Sequence, residues 1–438
     1  MRWLANFVYL IGAVFYLPVL LYQMLVQGKN RRGWRERFGH WAIQPADKPR
    51  IWIHAVSLGE VNATPLLVRR LEEALAASGG CDVVISTTTD TGYASACRHY
   101  GPQRVFRFPL DFSWVVQRVL ARVQPSLIVL VELEVWYNLV RTATRQGIPV
   151  AVVNGRLTSR SRKRLGWIGG PARAMFGDLA WVGAQDEPIA RRFVEIGTPP
   201  DRVEAVGSVK WDTTTVSDTI EGADPLADAL GLDGSPDAPG LWVCGSTGPG
   251  EETLILDAYQ ALRERGVALA LAIVPRKPER FDEVAGLIVR RGFTCLRRSQ
   301  QPDGSPAPRR SDASADCVIL GDTMGELRKF YALARAVFVG RSLVPMGGSD
   351  PMEVAALAKA IIVGPHTDNF AAPVEALSRA DAITTIATPA ELADAVAGLL
   401  TDPDETRARG RRAREVVIAH QGATQRTVDR LVQLLVQR

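Results

Sequence analysis

The chain has 438 residues, more than one domain core usually accommodates, so two domains are the expectation. Its 47% apolar and 23% charged residues are those of an ordinary globular protein. Five scattered cysteines lack any C-x-x-C spacing and five histidines lack H-E-x-x-H; a disulfide framework and a structural metal are both disfavoured, and a reducing compartment fits.

The first element is an apolar run from Trp3 to Val26, long enough to cross or enter a bilayer. Asn6, Pro18 and Gln23 interrupt it, while Trp3, Tyr9, Tyr16 and Tyr22 suit an interface. It is too long for a signal peptide and lacks a cleavage site. Lys29, Arg31, Arg32, Arg35 and Arg37 follow at once, so the charge rule keeps the rest of the chain in the cytoplasm, with the segment as an anchor to the inner membrane. A second basic run, RLTSRSRKR (156–164), reads equally as a solvated surface or as a seat for an anionic membrane or phosphorylated lipid. No nucleic-acid module accompanies either patch, so no nucleic acid is expected.

Strand-like runs then alternate with amphipathic helical patterns: 51–56, 82–87, 127–132, 149–154, 181–185 and 202–207. A stretch rich in Asp, Gly, Pro and Thr (213–240) reads as a linker, and the alternation restarts at 241–246, 268–274, 317–322, 336–342 and 360–365. The polar, proline-rich 299–316 reads as a surface loop. The expected organisation is an anchor and basic flank (1–40), a first domain (41–212), the linker (213–240), a second domain (241–403) and a final helix (404–438) packing back across the junction. This is α/β: two doubly wound Rossmann-like domains facing a cleft, the GT-B plan, behind an N-terminal membrane-anchor helix.

Several strand ends carry chemistry. Ser57-Leu58-Gly59-Glu60 follows the first strand. Glu60 reads either as a solvated carboxylate complementing a helix start or as a base for a hydroxyl proton. Glu132 and Glu134 follow the run LIVLV, and period-two alternation places them on one face, where they position hydroxyls or meet a developing cation. Lys210, in GSVKWD (207–212), offsets negative charge or is a surface lysine. In the second half, the small-residue loop 244–252 offers backbone amides to a phosphate or sugar acid. Arg276 ends a strand, Met324-Gly325-Glu326 starts a helix, and Asp350-Pro351-Met352-Glu353 reads as a variant capping box behind two glycines. No phosphate-loop or dinucleotide fingerprint is present, and no cofactor is expected. Asp402-Pro403-Asp404 has the D-x-D form but sits in a helix-start sequence and reads as a cap.

Together, HAVSLGE (54–60), ELEVW (132–136), NGRLTSRS (154–161), AQDE (184–187), GSVKWD (207–212), VPRKPER (274–280), GDTMGEL (321–327), GGSDPMEVAA (347–356) and GPHTDNF (364–370) resemble the 3-deoxy-D-manno-octulosonic acid (Kdo) transferase family. The resemblance runs from the anchor to about Gln421. It implies a metal-independent, inverting enzyme moving Kdo from CMP-Kdo to a lipid A precursor in lipopolysaccharide synthesis. Glu60 is then the general base, and Glu132 and Lys210 stabilise the transition state. CMP is held by Pro275 and Arg276, by Met324, Gly325 and Glu326, and by Asp350, Pro351, Met352 and Glu353. The chain departs from the family pattern on the donor side. Thr247–Gly250 lacks a frequent histidine, Ser349-Asp350 stands for His-Asn, Arg341 for a glycine and Asp368 for an aromatic residue. Two rival readings remain: a GT-B transferase using another activated sugar acid or nucleotide sugar, and a membrane-anchored nucleotide-binding scaffold without catalysis.

Overall fold

The computed structural model describes residues 2–26, 28, 33–41, 43, 46–232, 239–304 and 316–436. Lys29, Arg31 and Arg32 of the basic flank lie outside the described residues, as do 233–238 of the linker and 305–315 of the proline-rich loop. The chain divides into two compact units, Met1–Thr213 with His420–Arg438, and Thr214–Ala419.

The first unit holds β1 (Arg50–His54), β2 (Asp82–Thr87), β3 (Val105–Arg107), β4 (Leu127–Val131), β5 (Val150–Gly155), β6 (Trp181–Ala184) and β7 (Val203–Ala205) in a parallel sheet ordered β3-β2-β1-β4-β5-β6-β7. Alternation of side chains decides its packing. Ile51 and Ile53 enter one apolar layer with Val83, Ile85 and Val129; Trp52 enters the opposite layer with Val84, Ile128 and Leu130. Both faces are therefore covered, as parallel strands require. Each fully buried Ile contributes about 1.5–3 kcal/mol to holding its helices against the sheet.

The second unit repeats the plan with β8 (Gly240–Thr247), β9 (Leu269–Pro275), β10 (Thr294–Arg297), β11 (Cys317–Leu320), β12 (Ala336–Val339), β13 (Ala360–Val363) and β14 (Ile383–Thr385), ordered β10-β11-β9-β8-β12-β13-β14. In each sheet the chain winds one way from a central strand and later returns to its other side. The reversal falls between β1 and β4 in one unit and between β8 and β12 in the other. Open α/β sheets bind ligands beyond the strand ends at such points.

Three features differ from the sequence expectations. The linker carries a helix, Ala223–Ala229, held in the second unit by buried Leu226 and Leu230. The C-terminal helix is two, Pro403–His420 and Ala423–Val436, broken at Gly422, whose φ of +94° ends the helix. Only the second of these belongs to the first unit; there Val428 and Leu431 join the layer of Leu67, Val68 and Leu71, and Asp212 accepts from the amides of Gly422 and Thr424. Asp402 accepts from the Glu405 amide at 2.9 Å, a helix cap as its sequence context suggests.

The helix Arg2–Leu25 is long and apolar enough to cross a membrane. Its N-terminal end is nevertheless bound to the first unit. Asn6 donates to Ser113 Oγ (2.7 Å) and accepts from the Ser113 amide (3.0 Å) and from Asn138 Nδ2 (3.1 Å), and Tyr9 meets Phe112 edge-on with ring centroids 6.4 Å apart. Beside them Asp111 accepts from the amides of Asn138 and Leu139, both at 2.8 Å, capping the helix Tyr137–Arg145. Burial pushes its carboxyl up to about 7.

Candidate active site

In the first unit the turn after β1 enters the short helix Leu58–Asn62, with Ser57 as N-cap. Ser57 Oγ accepts from the Glu60 amide (3.3 Å) and donates to Glu60 Oε1 (2.7 Å); the Val56 amide donates to Glu60 Oε2 (2.9 Å). The two readings of Glu60 are thus compatible. The cap bonds use one acceptor position on each oxygen and fix the carboxylate, and an ionised carboxylate offers about four such positions.

Glu132 lies directly beyond β4, on the other side of the reversal. It takes φ +62°, a left-handed conformation that costs a non-glycine residue about 1–2 kcal/mol. The expectation that strand alternation places Glu132 and Glu134 on one face is therefore corrected: the strand ends at Val131, and the left-handed turn aims them. Both still sit close to Glu60. Burial raises the Glu132 carboxyl and the charge of Glu60 raises it further, while Lys210 and Arg156 pull it back. Burial and Glu60 push Glu134 up to about 7. Strained non-glycine residues recur at the C-terminal ends of the central strands, at Asn154 (φ +51°) in β5 and Ser246 (+56°) in β8, and just beyond β12 at Arg341 (+61°); such strain concentrates at functional sites.

Lys210 lies in the helix Val209–Asp212. Asn154 holds that segment, its Oδ1 accepting from Ser208 Oγ and the Val209 amide, each at 3.3 Å. Asn154 so ties the Lys210 segment to the turn that carries Arg156, a role that its place in NGRLTSRS did not reveal. His54 is excluded from proton transfer at neutral pH. It is fully buried, stacked on Phe108 at 3.7 Å, and burial holds its pKa down to about 3.

In the second unit the loop after β8 differs from its expected role. Glu251, fully buried, accepts from the amides of Gly248 (2.8 Å), Arg341 (2.5 Å), Ser342 (2.8 Å) and Leu343 (2.9 Å). A carboxylate of the chain itself fills the amide cradle at the β8–β12 reversal, so these four amides are not free for a phosphate or sugar acid. Pro275 ends β9 and Arg276 is exposed beyond it. Asp350 Oδ1 accepts from the Met352 amide at 2.8 Å, ahead of the helix Met352–Ala356. Pro351 lies before that helix rather than within its first turn. Burial raises Glu353, and the charges of Arg328 and Arg276 oppose that rise, so Glu353 and Arg276 share one locality. Met324 and Gly325 form an exposed turn with Gly325 at φ +85°. Glu326 is bonded to Arg298 (2.8 and 2.9 Å) and Lys329 (3.1 Å), and chiefly the Arg298 bonds hold its carboxyl down to about 2. The three residues line a cavity of about 460 Å³ with Arg298, Thr323 and Lys329.

Residues 32–213 match the family model of 3-deoxy-D-manno-octulosonic-acid transferase (kdotransferase). The chain is 32% identical over 407 residues to the 3-deoxy-D-manno-octulosonic acid transferase of Haemophilus influenzae, covering 92% of this chain and 91% of that protein. It is 33% identical over 405 residues to the enzyme of the same name from Bordetella pertussis, covering 90% and 89%. Among solved structures, Acinetobacter baumannii MurG superposes with a TM-score of 0.53 at 16% identity, covering 88% of this chain and 99% of that one. UDP-GlcNAc 2-epimerase from Neisseria meningitidis superposes with 0.54 at 12%, covering 89% and 100%. At such identities the likeness is one of fold alone, and a fold shared with an epimerase does not decide the reaction. Sequence identity along nearly the whole of both transferases shows the family: the chain belongs to the 3-deoxy-D-manno-octulosonic acid (Kdo) transferase family and is a glycosyltransferase of GT-B-like fold.

Proposed function

We propose that the protein transfers Kdo from CMP-Kdo to a hydroxyl of a lipid A precursor with inversion at the anomeric carbon. The observation that carries the reading is the group of three carboxylates, Glu60, Glu132 and Glu134, beyond β1 and β4, with Lys210 and Arg156 acting on it. Glu60 removes the proton from the attacking hydroxyl, with its orientation fixed by the Ser57 and Val56 bonds. Glu132 and Lys210 offset the opposite charges that develop as the donor bond breaks. CMP is assigned to the second unit: Arg276 with Pro275, the turn Met324–Glu326, and Asp350, Pro351, Met352 and Glu353. Arg276 suits the phosphate. We read transfer as metal-independent, as the resemblance to the family implies.

We further propose that the protein sits on the cytoplasmic face of the inner membrane with its first helix lying along the leaflet. Asn6 at one end of that helix is bonded to Ser113 and Asn138, and beyond the other end Phe38 stacks on Trp114 (6.1 Å) while Arg37 donates to the Thr88 carbonyl (2.8 Å). Asn6 near the start of the helix and Arg37 and Phe38 beyond its end thus meet the same folded unit, whereas a crossing helix would carry Asn6 to the far side of the bilayer. The basic run 156–164 supports a second membrane contact, since Trp167 and Ile168 at the end of its helix are exposed. Incubating the purified chain with CMP-Kdo and the lipid acceptor tests the reading. A product heavier by Kdo supports it, and product only from a different activated sugar overturns the donor assignment.

A further inference from the structure

A groove of about 1190 Å³ separates the first helix from the rest of the first unit, walled by Gly12, Ala13 and Tyr16 on the helix and by Phe112, Trp114 and Trp136 opposite. The surface it exposes is overwhelmingly apolar. Hydrogen bonds fix its width at one end, because Asn6 pins the helix to Ser113 and Asn138 beside the Tyr9–Phe112 ring contact. The groove is therefore built into the fold rather than left by loose packing.

Part of its wall belongs to the segments that carry the carboxylates, although Glu60, Glu132 and Glu134 do not themselves line it. Thr88 and Trp136 both line it. The Thr88 amide donates to the Val56 carbonyl (3.4 Å), and the Val56 amide donates to Glu60 (2.9 Å). Trp136 follows Glu134 by two residues and packs on Phe108 (5.6 Å), which stacks on His54 of β1. Ile11, Val14 and Phe15, which do not line the groove, are exposed on the same helix. A molecule in the groove thus has hydrocarbon surroundings along its length and, behind the Thr88 and Trp136 wall, the segments of Glu60 and Glu134, a division that suits a lipid whose headgroup carries the hydroxyl.

We propose that this groove receives an acyl chain of the lipid acceptor and so delivers the acceptor hydroxyl to Glu60. The proposal rests on the reading of the acceptor as a lipid. The chain stays in an apolar slot while its headgroup reaches past Thr88 and Trp136. Bulk bilayer lipid, the other occupant, gives no reason for the groove wall to be joined through Thr88 and Val56 to Glu60.

Filling the groove tests this. A Cβ added at Gly12, which lines the groove, meets no atom within 4 Å, so Gly12→Phe starts from open space, and Ala13→Phe is a second filler. Full-length protein in nanodiscs is assayed with the acylated acceptor and with the same headgroup stripped of its acyl chains. For the acylated acceptor KM rises about tenfold or more in the filled variants, the effect of excluding about two methylenes from an apolar site. For the stripped acceptor KM is unchanged, as is flotation with the membrane. Equal effects on both acceptors, or none on either, overturn the proposal. An arm independent of turnover uses the acylated acceptor with a diazirine in its acyl chain. Crosslinks form at Phe112 or Trp114 and disappear in Gly12→Phe; no crosslink there, or loss of the crosslink to excess phospholipid, overturns it. Absence of product from the wild type with crosslinking intact counts against the transferase reading alone.

Discussion

Glu60→Gln separates the two roles that the Glu60 carboxylate combines. An amide at this position can accept from the Val56 amide and donate to Ser57 Oγ, so the cap at the start of Leu58–Asn62 survives. What is lost for stability is a charge near a helix start, about 0.3–1 kcal/mol. In a unit of this size that lowers Tm by roughly 4 °C at most. What is lost for transfer is the proton acceptor, about 10²–10⁴-fold in kcat, or about 2.7–5.5 kcal/mol of barrier. Glu60→Ala removes the acceptors from both Ser57 and Val56 and costs about 0.5–2 kcal/mol of stability. The assay pairs calorimetric Tm with initial rates read by product mass. Both variants should lose activity alike while only Glu60→Ala loses appreciable stability, and CMP binding persists in each. Transfer by Glu60→Gln within about tenfold of wild type, or activity that simply follows Tm across the pair, would refute the reasoning.

Further outcomes follow from the same geometry. Glu134, pushed up to about 7 by burial and Glu60, is neutral below that pH and gains its charge above it. A negative group facing a developing cation should raise kcat as pH rises through about 7, and Glu134→Gln should abolish that inflection; an unchanged pH–rate profile counts against it. Glu251→Ala orphans four buried amides at about 1–3 kcal/mol each before relaxation, so Tm should fall by roughly 10 °C or more and CMP binding should fail with it; a wild-type melt contradicts the cradle. A cysteine at Ala5, beside the pinned Asn6, should react with an impermeant maleimide only after cells are lysed, whereas labelling in intact spheroplasts would mean that the helix crosses the membrane.

Apolar periodicity was enough to read both parallel sheets, because strands buried on both faces need continuous apolar runs. The strands it left out, Val105–Arg107, Thr294–Arg297 and Ile383–Thr385, lie at sheet edges and are three or four residues long, too short for a period of two to show. The Ser57-x-x-Glu60 cap was legible because its partners are three residues apart. The Glu251 cradle was not, since three of its four amides come from about ninety residues downstream. Nor does a single sequence reveal the left-handed backbone at Glu132 and Arg341, which tertiary packing imposes on residues that disfavour it. Asn6 reads as a polar interruption of an anchor until Ser113 and Asn138 appear beside it.

The central claim is the chemistry of the first unit's carboxylates acting on a lipid hydroxyl with CMP-Kdo as donor. Mass spectrometry of the acceptor after incubation with CMP-Kdo and excess EDTA tests it most directly, with the new anomeric linkage assigned by NMR. The account predicts an acceptor heavier by Kdo, formed undiminished in EDTA with inverted configuration. No Kdo-bearing product, product that requires a divalent cation, or a retained anomeric configuration would contradict it.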